Sequence, residues 1–451
     1  MSNGKISIRT SIFSVINVLI VSAFFAVGWI LYYNNIITWS YQYKGNLAMS
    51  AVFLVAYWLL VKVYDAFAIN VQRKMELAIS QVLSAFFADA IIYVIICFLY
   101  EWIAPIWPLI LVFLLQSLCI CAWVVLVKNW YFTHNPVSRT VILHDGTGDA
   151  SHLQREMAYD KNYELVAVID ILDCINGNME CLQDVDAVFI CTDLTDERDV
   201  VVEYCIARKL DFFIIPSIND MLINSARHVH MFHMPIMQMH MGEASMGYLF
   251  IKRTMDIVLS AMALLVLWPL MLMLAIAIKA HDGGPAFYKQ VRLTKDGKEF
   301  KLIKFRSMRV DAESDGVARL STGDNDERVT PVGRWIRKLR FDELPQIINI
   351  LRGDMSIVGP RPERPEIAEK YERELPEFRL RLQAKAGLTG YAQVYGKYNS
   401  TPREKLHMDM IYISRPSIFE DIRLILTTIR VLFMKESTEG FESQLVNAKE
   451  E

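Results

Sequence analysis

Apolar stretches dominate the N-terminal part of the chain. Four of them are long enough, or nearly long enough, to cross a bilayer as helices, since about 20 apolar residues span its hydrocarbon core. They run over 11–33, 47–61, 77–100 and 102–127. Basic residues lie before the first stretch, between the second and third, and after the fourth. Because positively charged loops stay in the cytoplasm, the pattern predicts four transmembrane helices over 1–136, with both ends on the cytoplasmic side.

After residue 136, short apolar runs alternate with helical stretches. The runs 140–143, 165–169, 187–191 and 212–215 have the length of buried strands, and helical segments such as 199–209 lie between them. Alternating strands and helices indicate a parallel α/β sheet. We predict a Rossmann-like cytosolic module over 137–245.

Glycines after the first of these runs resemble part of a dinucleotide-binding motif. Gly146 and Gly148 are followed by Asp170, as in the phosphate-binding fingerprint. The third glycine of that fingerprint is replaced by Ser151, and Asp145 would repel a pyrophosphate. These departures favour a regulatory or spacer module over a dinucleotide-binding one.

The segment 228–241 is rich in histidine and methionine. Soft ligands at this density are typical of copper sites, whereas methionine also fills irregular apolar surfaces. No supporting carboxylates accompany the run, so we favour a methionine-rich packing strip near the membrane.

A fifth apolar stretch, 257–278, is also long enough to cross a bilayer. Lys252 and Arg253 precede it and Lys279 follows it, so both flanks are basic and a crossing would violate the positive-inside rule. Pro269 lies in its middle, where proline removes a helix hydrogen bond and favours a bend. We therefore expect a reentrant helix that bends at Pro269 and returns to the same face; a fifth crossing is the alternative.

Two alternating runs around Asp296–Gly297 predict a β-hairpin over 287–308. Lysine and arginine greatly outnumber acids in it, and Lys304 and Arg306 lie among apolar residues, which indicates partly enclosed positions. A basic hairpin beside a membrane helix suits lipid headgroups or a polyphosphate substrate. A solvated edge protected by lysines is the alternative.

Asp342 and Glu343 lie at the predicted start of a short helix marked by Pro345. The helix dipole at such a position lowers the pKa of a carboxylate and attracts phosphate, which would keep Asp342 ionised as a nucleophile. The alternative is an N-cap aspartate that only satisfies backbone donors. Two adjacent acids, with Arg337 and other arginines upstream, exceed what a cap requires.

Arg361 lies between Pro360 and Pro362. The two prolines fix the backbone on both sides of it. A rigidly held arginine suits bidentate binding of phosphate, and an ordinary surface turn is the alternative.

Composition narrows the functional class. The chain has 451 residues, 53% of them hydrophobic, with 47 Lys and Arg against 50 Asp and Glu. Nucleic-acid binders usually carry a basic excess, so no nucleic-acid partner is expected. The seven cysteines are odd in number and are predicted to be reduced thiols.

Motifs in the C-terminal part resemble those of the bacterial sugar transferase family, the polyprenyl-phosphate hexose-1-phosphate transferases, in its long form. The resemblance covers 252 to the end of the chain and rests on KR-x-x-D at Lys252, Arg253 and Asp256, on GGPAFYKQVR, KLIKFRSM, the block 337–346, RGDMSIVGPRP and GLTGYAQVYGKYN. The four predicted helices and the α/β module resemble the N-terminal half of long members. The chain departs from the usual pattern at Trp268, Arg340 and Ala386.

The resemblance implies a phosphoglycosyl transferase. Asp342 would attack the sugar-bearing phosphate of a UDP-sugar and release UMP, and undecaprenyl phosphate would then take the phosphosugar from the aspartate. Asp342 and Glu343 would hold Mg²⁺. The residues implied to bind phosphate or substrate are Lys304, Arg306, Arg337, Pro360, Arg361, Pro362 and Asp409. Those implied for the membrane interface and reentrant helix are Lys252, Arg253, Asp256 and Pro269.

The predicted fold class is therefore membrane α plus α/β. It comprises a four-helix transmembrane bundle, the Rossmann-like module, an α/β catalytic domain over 246–435 with the reentrant helix, and a polar tail over 436–451. The resemblance implies UDP-glucose or UDP-galactose, undecaprenyl phosphate and membrane lipids as partners, and a place in the bacterial inner membrane with the catalytic domain on the cytoplasmic face. The product would start surface polysaccharide synthesis: capsule, exopolysaccharide or O-antigen. The long N-terminal half suggests an interaction surface, and we expect a homodimer.

Two other functions fit parts of the sequence. One is a non-catalytic membrane scaffold or sensor in which Asp342 only caps a helix. The other is a dinucleotide-dependent sugar-modifying enzyme that uses 137–245. The acidic pair, Arg361 and the basic hairpin favour the transferase.

Overall fold

The computed structural model describes residues 3–37, 41–70, 72–135, 137–146, 149–158, 162–224, 226–238, 244–309, 328–396 and 400–432. Gly148, His240 and the polar tail lie outside these residues. The chain forms two compact units, Met1–Ser217 and Ile218–Glu451. The domain boundaries at 136 and 245 stay predictions.

The first unit begins with four long helices of mostly apolar residues. They are α1 (Asn3–Gly28, continued through a π-helical turn at Trp29–Tyr33 and a last turn at Asn34–Ile36), α2 (Tyr43–Val63), α3 (Lys74–Tyr100) and α4 (Trp107–His134). Helices α1 and α3 each pack against α2 and α4. All four are long and apolar enough to cross a membrane. The predicted helical, apolar N-terminal region is confirmed.

Buried polar side chains join three of these helices. The hydroxyl of Tyr57 donates to Oδ1 of Asn17 at 3.1 Å, and Nδ2 of Asn17 donates to Oε1 of Gln81 at 3.3 Å. Such contacts hold helices together where apolar burial alone does not favour association.

A four-stranded parallel sheet follows. Its strands are β1 (Ser138–His144), β2 (Tyr163–Asp170), β3 (Ala187–Cys191) and β4 (Asp211–Ile214), in the order β2-β1-β3-β4. Helix α5 (Asp149–Met157) packs on one face, and α6 (Ile171–Asn176) and α7 (Thr195–Arg208) pack on the other. The predicted strands and their parallel arrangement are confirmed.

The carboxyl ends of the central strands carry negative charge. Oδ2 of Asp145 accepts hydrogen bonds from the Thr192 hydroxyl at 2.7 Å and from the Asp193 backbone N–H at 2.8 Å. Parallel sheets bind dinucleotides at this edge, so Asp145 places a carboxylate where a pyrophosphate would lie. The interpretation of the degenerate glycine motif stays a prediction.

The second unit opens with α8 (Ile218–Asn224) and a hairpin of β5 (Arg227–Met231) and β6 (Met234–Gln238). The hairpin contains most of the histidine- and methionine-rich run. Side chains at its turn are exposed, including Phe232 at 78%. No group of three histidine, cysteine or acidic side chains that would hold a metal occurs within the described ranges.

Helix α9 (Met246–Asp282) contains the fifth apolar stretch and runs unbroken through Pro269. At 1.5 Å per residue its 37 residues make up about 55 Å of helix, counted along the helix axis. Both halves contact the rest of the second unit. The first half contacts β9 through Asp256, and the second half contributes Met271, Leu274 and Ile278 to the core.

The remaining elements build an α/β body around α9. They are β7 (Phe287–Leu293), β8 (Glu299–Phe305), α10 (Pro331–Lys338), α11 (Gln346–Arg352), β9 (Ser356–Val358), α12 (Pro365–Glu374), β10 (Gly387–Thr389), α13 (Tyr391–Val394), α14 (Pro402–Ser414) and α15 (Ile418–Leu432). Strands β7 and β8 form the predicted antiparallel hairpin, and β9 pairs with β10 in parallel. The α/β character of the C-terminal region is confirmed.

Candidate active site

The acidic pair lies in a short 3₁₀ turn, Phe341–Glu343, between α10 and α11. Phe341 and Leu344, on either side of the pair, pack against the cluster formed by the second half of α9, Phe305 and Ile336. These apolar anchors fix the backbone of the turn. The pair is therefore held beside the second half of the long apolar helix.

Glu343 binds two cations from different elements. Its Oε1 accepts hydrogen bonds from Nζ of Lys304 on β8 at 3.2 Å and from Nη2 of Arg361 at 2.9 Å. Burial opposes ionisation, but the charges of Arg361 and Lys304 prevail and hold the pKa of Glu343 well below its usual range. Glu343 is thus an ionised carboxylate that forms ion pairs with two of the predicted phosphate-binding side chains, Lys304 and Arg361.

Asp342 lies in a different environment. Its carboxylate accepts no hydrogen bond from the described residues, and burial together with the charge of Glu343 raises its pKa, against the opposing charges of Lys304, Arg337 and Arg361. The expectation that a helix dipole lowers this pKa is wrong. Helix α11 begins only at Gln346, so its first turn does not offset desolvation and the adjacent negative charge.

Asp342 does not cap α11 either. The residue at the N-cap position is Pro345, and no side chain accepts a capping hydrogen bond there. A capping role, on which the scaffold interpretation depends, is therefore not supported by this geometry.

The Arg361 segment is placed by a close approach of two backbone segments. The Gly359 N–H donates to the Thr389 carbonyl at 2.8 Å, and the Gly387 N–H donates to the Pro360 carbonyl at 2.9 Å. A Cβ atom at Gly359 or Gly387 would lie 2.2 Å from backbone atoms of the other segment. Glycine is required at both positions, which explains why the two glycine-containing motifs occur together.

The structure brings only some of the predicted phosphate-binding residues to the pair. Lys304 and Arg361 contact Glu343, and Arg337 lies close enough to lower the pKa of Asp342 while its Nε donates to the Ser307 hydroxyl at 2.8 Å. Arg306 instead forms an ion pair with Asp282 at the end of α9.

Asp409 lies on α14 and is also away from the pair. Its side chain is 2% exposed and forms an ion pair with Arg381 at 2.7 Å. In this position its carboxylate contacts the buried Arg381 rather than Asp342 or Glu343.

The KR-x-x-D motif fastens α9 to the α/β body. Arg253 donates from Nη1 to the Ile350 carbonyl at 2.7 Å and from Nη2 to the Leu351 carbonyl at 2.8 Å, at the end of α11. Nζ of Lys252 lies 3.1 Å from the buried carboxylate of Asp421, and Asp256 accepts the N–H of Ile357 at 3.0 Å. Arg253 thus holds the far end of α11, the helix that follows the acidic pair, while Lys252 and Asp256 join α9 to α15 and β9.

Replacing Arg253 with Met should destabilise the fold. The change removes two hydrogen bonds from a charged donor to helix-terminal carbonyls, each of which contributes about 1.5–3 kcal/mol. Thermal unfolding in detergent would measure it. Arg352→Met, at an exposed position of α11, is the matched control. Equal losses of stability in both variants would contradict the role of Arg253 in holding the end of α11.

Two side chains of the basic hairpin, Arg292 and Gln290, were not among the predicted phosphate-binding residues. Arg292 and Gln290 lie on β7, on the same face as Lys304, because β7 pairs Tyr288 with Lys304 across the hairpin. Oε1 of Gln290 accepts two hydrogen bonds from Arg292, at 3.1 and 2.7 Å. The two-residue periodicity of the predicted hairpin is the signal that would have placed them there.

The acidic pair fits a magnesium ion bound together with a diphosphate. Mg²⁺ in proteins commonly takes one or two carboxylates and completes its shell with substrate phosphates and water. Asp342 and Oε2 of Glu343 accept no hydrogen bond from the described residues, so oxygen donors remain for a cation. No third histidine, cysteine or acidic ligand joins them in the described part of the chain.

Comparison with known proteins identifies a matching family and several relatives. The family model described as bacterial sugar transferase matches residues 247–435. A UDP-N-acetylgalactosamine-undecaprenyl-phosphate N-acetylgalactosaminephosphotransferase of Aeromonas hydrophila is 39% identical over 203 residues, covering 43% of this chain and 48% of the relative. A UDP-glucose:undecaprenyl-phosphate glucose-1-phosphate transferase of Xanthomonas campestris is 37% identical over 254 residues, covering 53% and 51%. The chain thus spans about half the length of these two relatives.

A longer alignment extends the similarity beyond the catalytic motifs. An undecaprenyl-phosphate galactose phosphotransferase of Salmonella typhimurium is 31% identical over 333 residues, which cover 66% of this chain and 68% of the relative. The alignment covers about two thirds of both proteins, and the family model matches 247–435. A few shared motifs would not produce similarity of this length. The chain belongs to the bacterial sugar transferase family.

Proposed function

We propose that the protein transfers a hexose-1-phosphate from a UDP-sugar to undecaprenyl phosphate through a phosphosugar-aspartate. The observation that carries this proposal is the contrast between the two acids. Asp342 has a carboxylate free of hydrogen bonds from the described residues, while its neighbour Glu343 is held by Lys304 and Arg361. A free carboxylate beside fixed cations suits attack on a phosphorus atom whose oxygens those cations bind.

The proposed chemistry has two displacements at the same phosphorus. A carboxylate oxygen of Asp342 bonds to the sugar-bearing phosphorus, and the bond to the bridging oxygen breaks, so UMP leaves with the electron pair. A phosphate oxygen of undecaprenyl phosphate then attacks that phosphorus and releases the Asp342 carboxylate. No oxidant and no net proton donor is needed.

Substrate binding requires an exchange of ion pairs in this scheme. Lys304 and Arg361 both pair with Oε1 of Glu343. Phosphate oxygens of the diphosphate replace Oε1 of Glu343 on these cations, and Glu343 is thereby released toward the substrate. Bound Mg²⁺, held by Asp342 and Glu343, would offset charge on the diphosphate and on the departing UMP.

We also propose how the protein lies in the membrane. Helices α1–α4 would cross the bacterial inner membrane as a bundle with the catalytic domain on the cytoplasmic face, and the α/β module 137–245 would be a Rossmann-like regulatory or spacer unit. Asp256 and Asp282, which flank the apolar stretch 257–278 of α9, both contact the same α/β body. A full crossing would separate those contacts by about 30 Å of hydrocarbon, so a helix that enters and returns is favoured.

The substrate class is a UDP-hexose. The relatives are named for glucose, galactose and N-acetylgalactosamine, and glucose and galactose are our first candidates. The product would start a surface polysaccharide, and the protein would act as a homodimer.

Release of UMP tests the function directly. The full-length protein in detergent with Mg²⁺ would be given a panel of UDP-sugars, with and without undecaprenyl phosphate. We expect sustained UMP release with one sugar only when the lipid is present. Absence of release with every UDP-sugar, from protein shown to be folded, would overturn the proposal.

A further inference from the structure

Two arginines, the buried Arg381 and the partly buried Arg292, hold consecutive backbone carbonyls of the Arg361 segment. Nη2 of Arg381 donates to the Arg361 carbonyl at 2.9 Å. Nη1 of Arg292 donates to the Pro362 carbonyl at 3.0 Å. The first arginine comes from the 3₁₀ turn Pro376–Gln383 and the second from β7, so the segment is held by two separate elements.

The segment depends on such outside donors. Pro360 and Pro362 have no N–H group, and prolines fix only their own φ angles. The prolines alone therefore do not determine where the Arg361 side chain lies relative to Glu343. The Arg361 side chain remains 42% exposed while its backbone is held from the buried side.

Two acids balance the two arginines, the buried Asp409 and the partly buried Glu363. Oδ2 of Asp409 lies 2.7 Å from Nη2 and 3.0 Å from Nε of Arg381, and the Arg381 side chain is 4% exposed. Glu363 bridges the network, with Oε1 3.5 Å from Arg381 and Oε2 3.8 Å from Arg292. Burial raises the pKa of Asp409, although Arg381 opposes the shift, and burial lowers the pKa of Arg292 to about 10. Two positive and two negative side chains thus form one network of ion pairs that contacts the backbone carbonyls of Arg361 and Pro362.

We propose that Arg381 and Arg292 are positioning residues that set the location of the Arg361 guanidinium, and that Asp409 acts through Arg381 rather than on the substrate. The inference rests on the proposed function only in that Arg361 binds a diphosphate. It assigns a shared task to three residues that lie far apart in the sequence.

The test asks whether the effects of separate mutations on pyrophosphate affinity are additive. The affinity of the full-length protein in nanodiscs for inorganic pyrophosphate is measured for each variant. Arg381→Met combined with Asp409→Leu removes the charged pair together, which commonly leaves a fold intact. Because the Arg361 carbonyl loses its donor, we expect pyrophosphate to bind about tenfold more weakly. Arg379→Met, at an exposed position of the same turn, should leave the affinity unchanged.

The decisive comparison repeats the double change in an Arg361→Ala background. A positioning role predicts no further loss there, since the side chain being positioned is gone. An equal tenfold loss in that background would overturn the inference, because Arg381 or Asp409 would then act without Arg361. Asp409→Glu, which keeps the charge, should restore part of the affinity lost in Asp409→Asn.

Failure of the inference can be told apart from failure of the function. If wild-type protein does not bind pyrophosphate, the phosphate site and the proposed reaction fail together. If wild type binds and the Arg361→Ala background abolishes the effect of the double change, the inference stands whichever sugar is used. If wild type binds and the effects add, only the positioning role fails.

Discussion

Asp342→Asn should abolish sugar-phosphate transfer while leaving the protein folded. The amide has nearly the shape of the carboxylate but is not a nucleophile toward phosphorus, so we expect UMP release to fall by at least about 1,000-fold. Wild-type protein given a UDP-sugar without lipid should release UMP only once per site and retain the phosphosugar. The variant should retain none, as intact-protein mass spectrometry would show.

The expected stability of the Asp342→Asn variant can be derived from the pKa shift of Asp342. Burial and the charge of Glu343 raise that pKa in the folded protein, so the ionised side chain favours the unfolded chain as the pH rises above its ordinary pKa. Asn removes the charge, and the variant should be at least as stable as wild type at neutral pH. Asp296→Asn, in the exposed hairpin turn, is the matched control and should keep full activity. Residual transfer near the wild-type rate in Asp342→Asn would contradict the nucleophile assignment.

The parts of the site that depend on local sequence were predictable. The turn signal at Asp296–Gly297 correctly placed both strands of the basic hairpin. Once that hairpin is paired, its register puts Lys304 beside Tyr288 and on the same face as Arg292. Pairing with β7 fixes the side of the hairpin on which the Lys304 side chain lies, and that side faces the site. The two-residue periodicity of a strand is enough to predict this.

The electrostatics of the pair were not predictable from the helix pattern. The sequence correctly indicated a short helix after the acids, but its first residue is Gln346 rather than a residue at the pair. Burial and repulsion by Glu343 then determine the pKa of Asp342. Both effects depend on how the surrounding elements pack, which no short stretch of sequence specifies.

Two residues predicted to bind phosphate, Arg306 and Asp409, lie away from the acidic pair because of contacts with residues distant in the sequence. Lys304 lies near the end of β8 and Arg306 directly follows that strand, yet Arg306 pairs with Asp282 and Lys304 with Glu343. Asp409 meets Arg381 only because α14 packs against the turn Pro376–Gln383. A motif shows that such residues matter for the family, but their partners follow from the tertiary fold.

Glu343→Gln should change metal-dependent turnover and metal-free binding in opposite directions. Turnover with Mg²⁺ should fall by about 100-fold, because one of the two carboxylates proposed to hold the cation is lost. Binding of inorganic pyrophosphate in EDTA should instead become about tenfold tighter. The amide no longer holds Lys304 and Arg361 by charge, and one negative charge facing the ligand disappears.

Isothermal titration in EDTA, beside UMP release in Mg²⁺, measures both effects on the same preparation. Glu299→Gln, at an exposed position on the same strand as Lys304, controls for the loss of a negative charge in general and should change neither value. A variant that merely folded poorly would lose turnover and pyrophosphate binding together. Weaker pyrophosphate binding by folded Glu343→Gln would therefore show that Glu343 does not compete with the diphosphate for these cations, and the exchange of ion pairs would have to be abandoned.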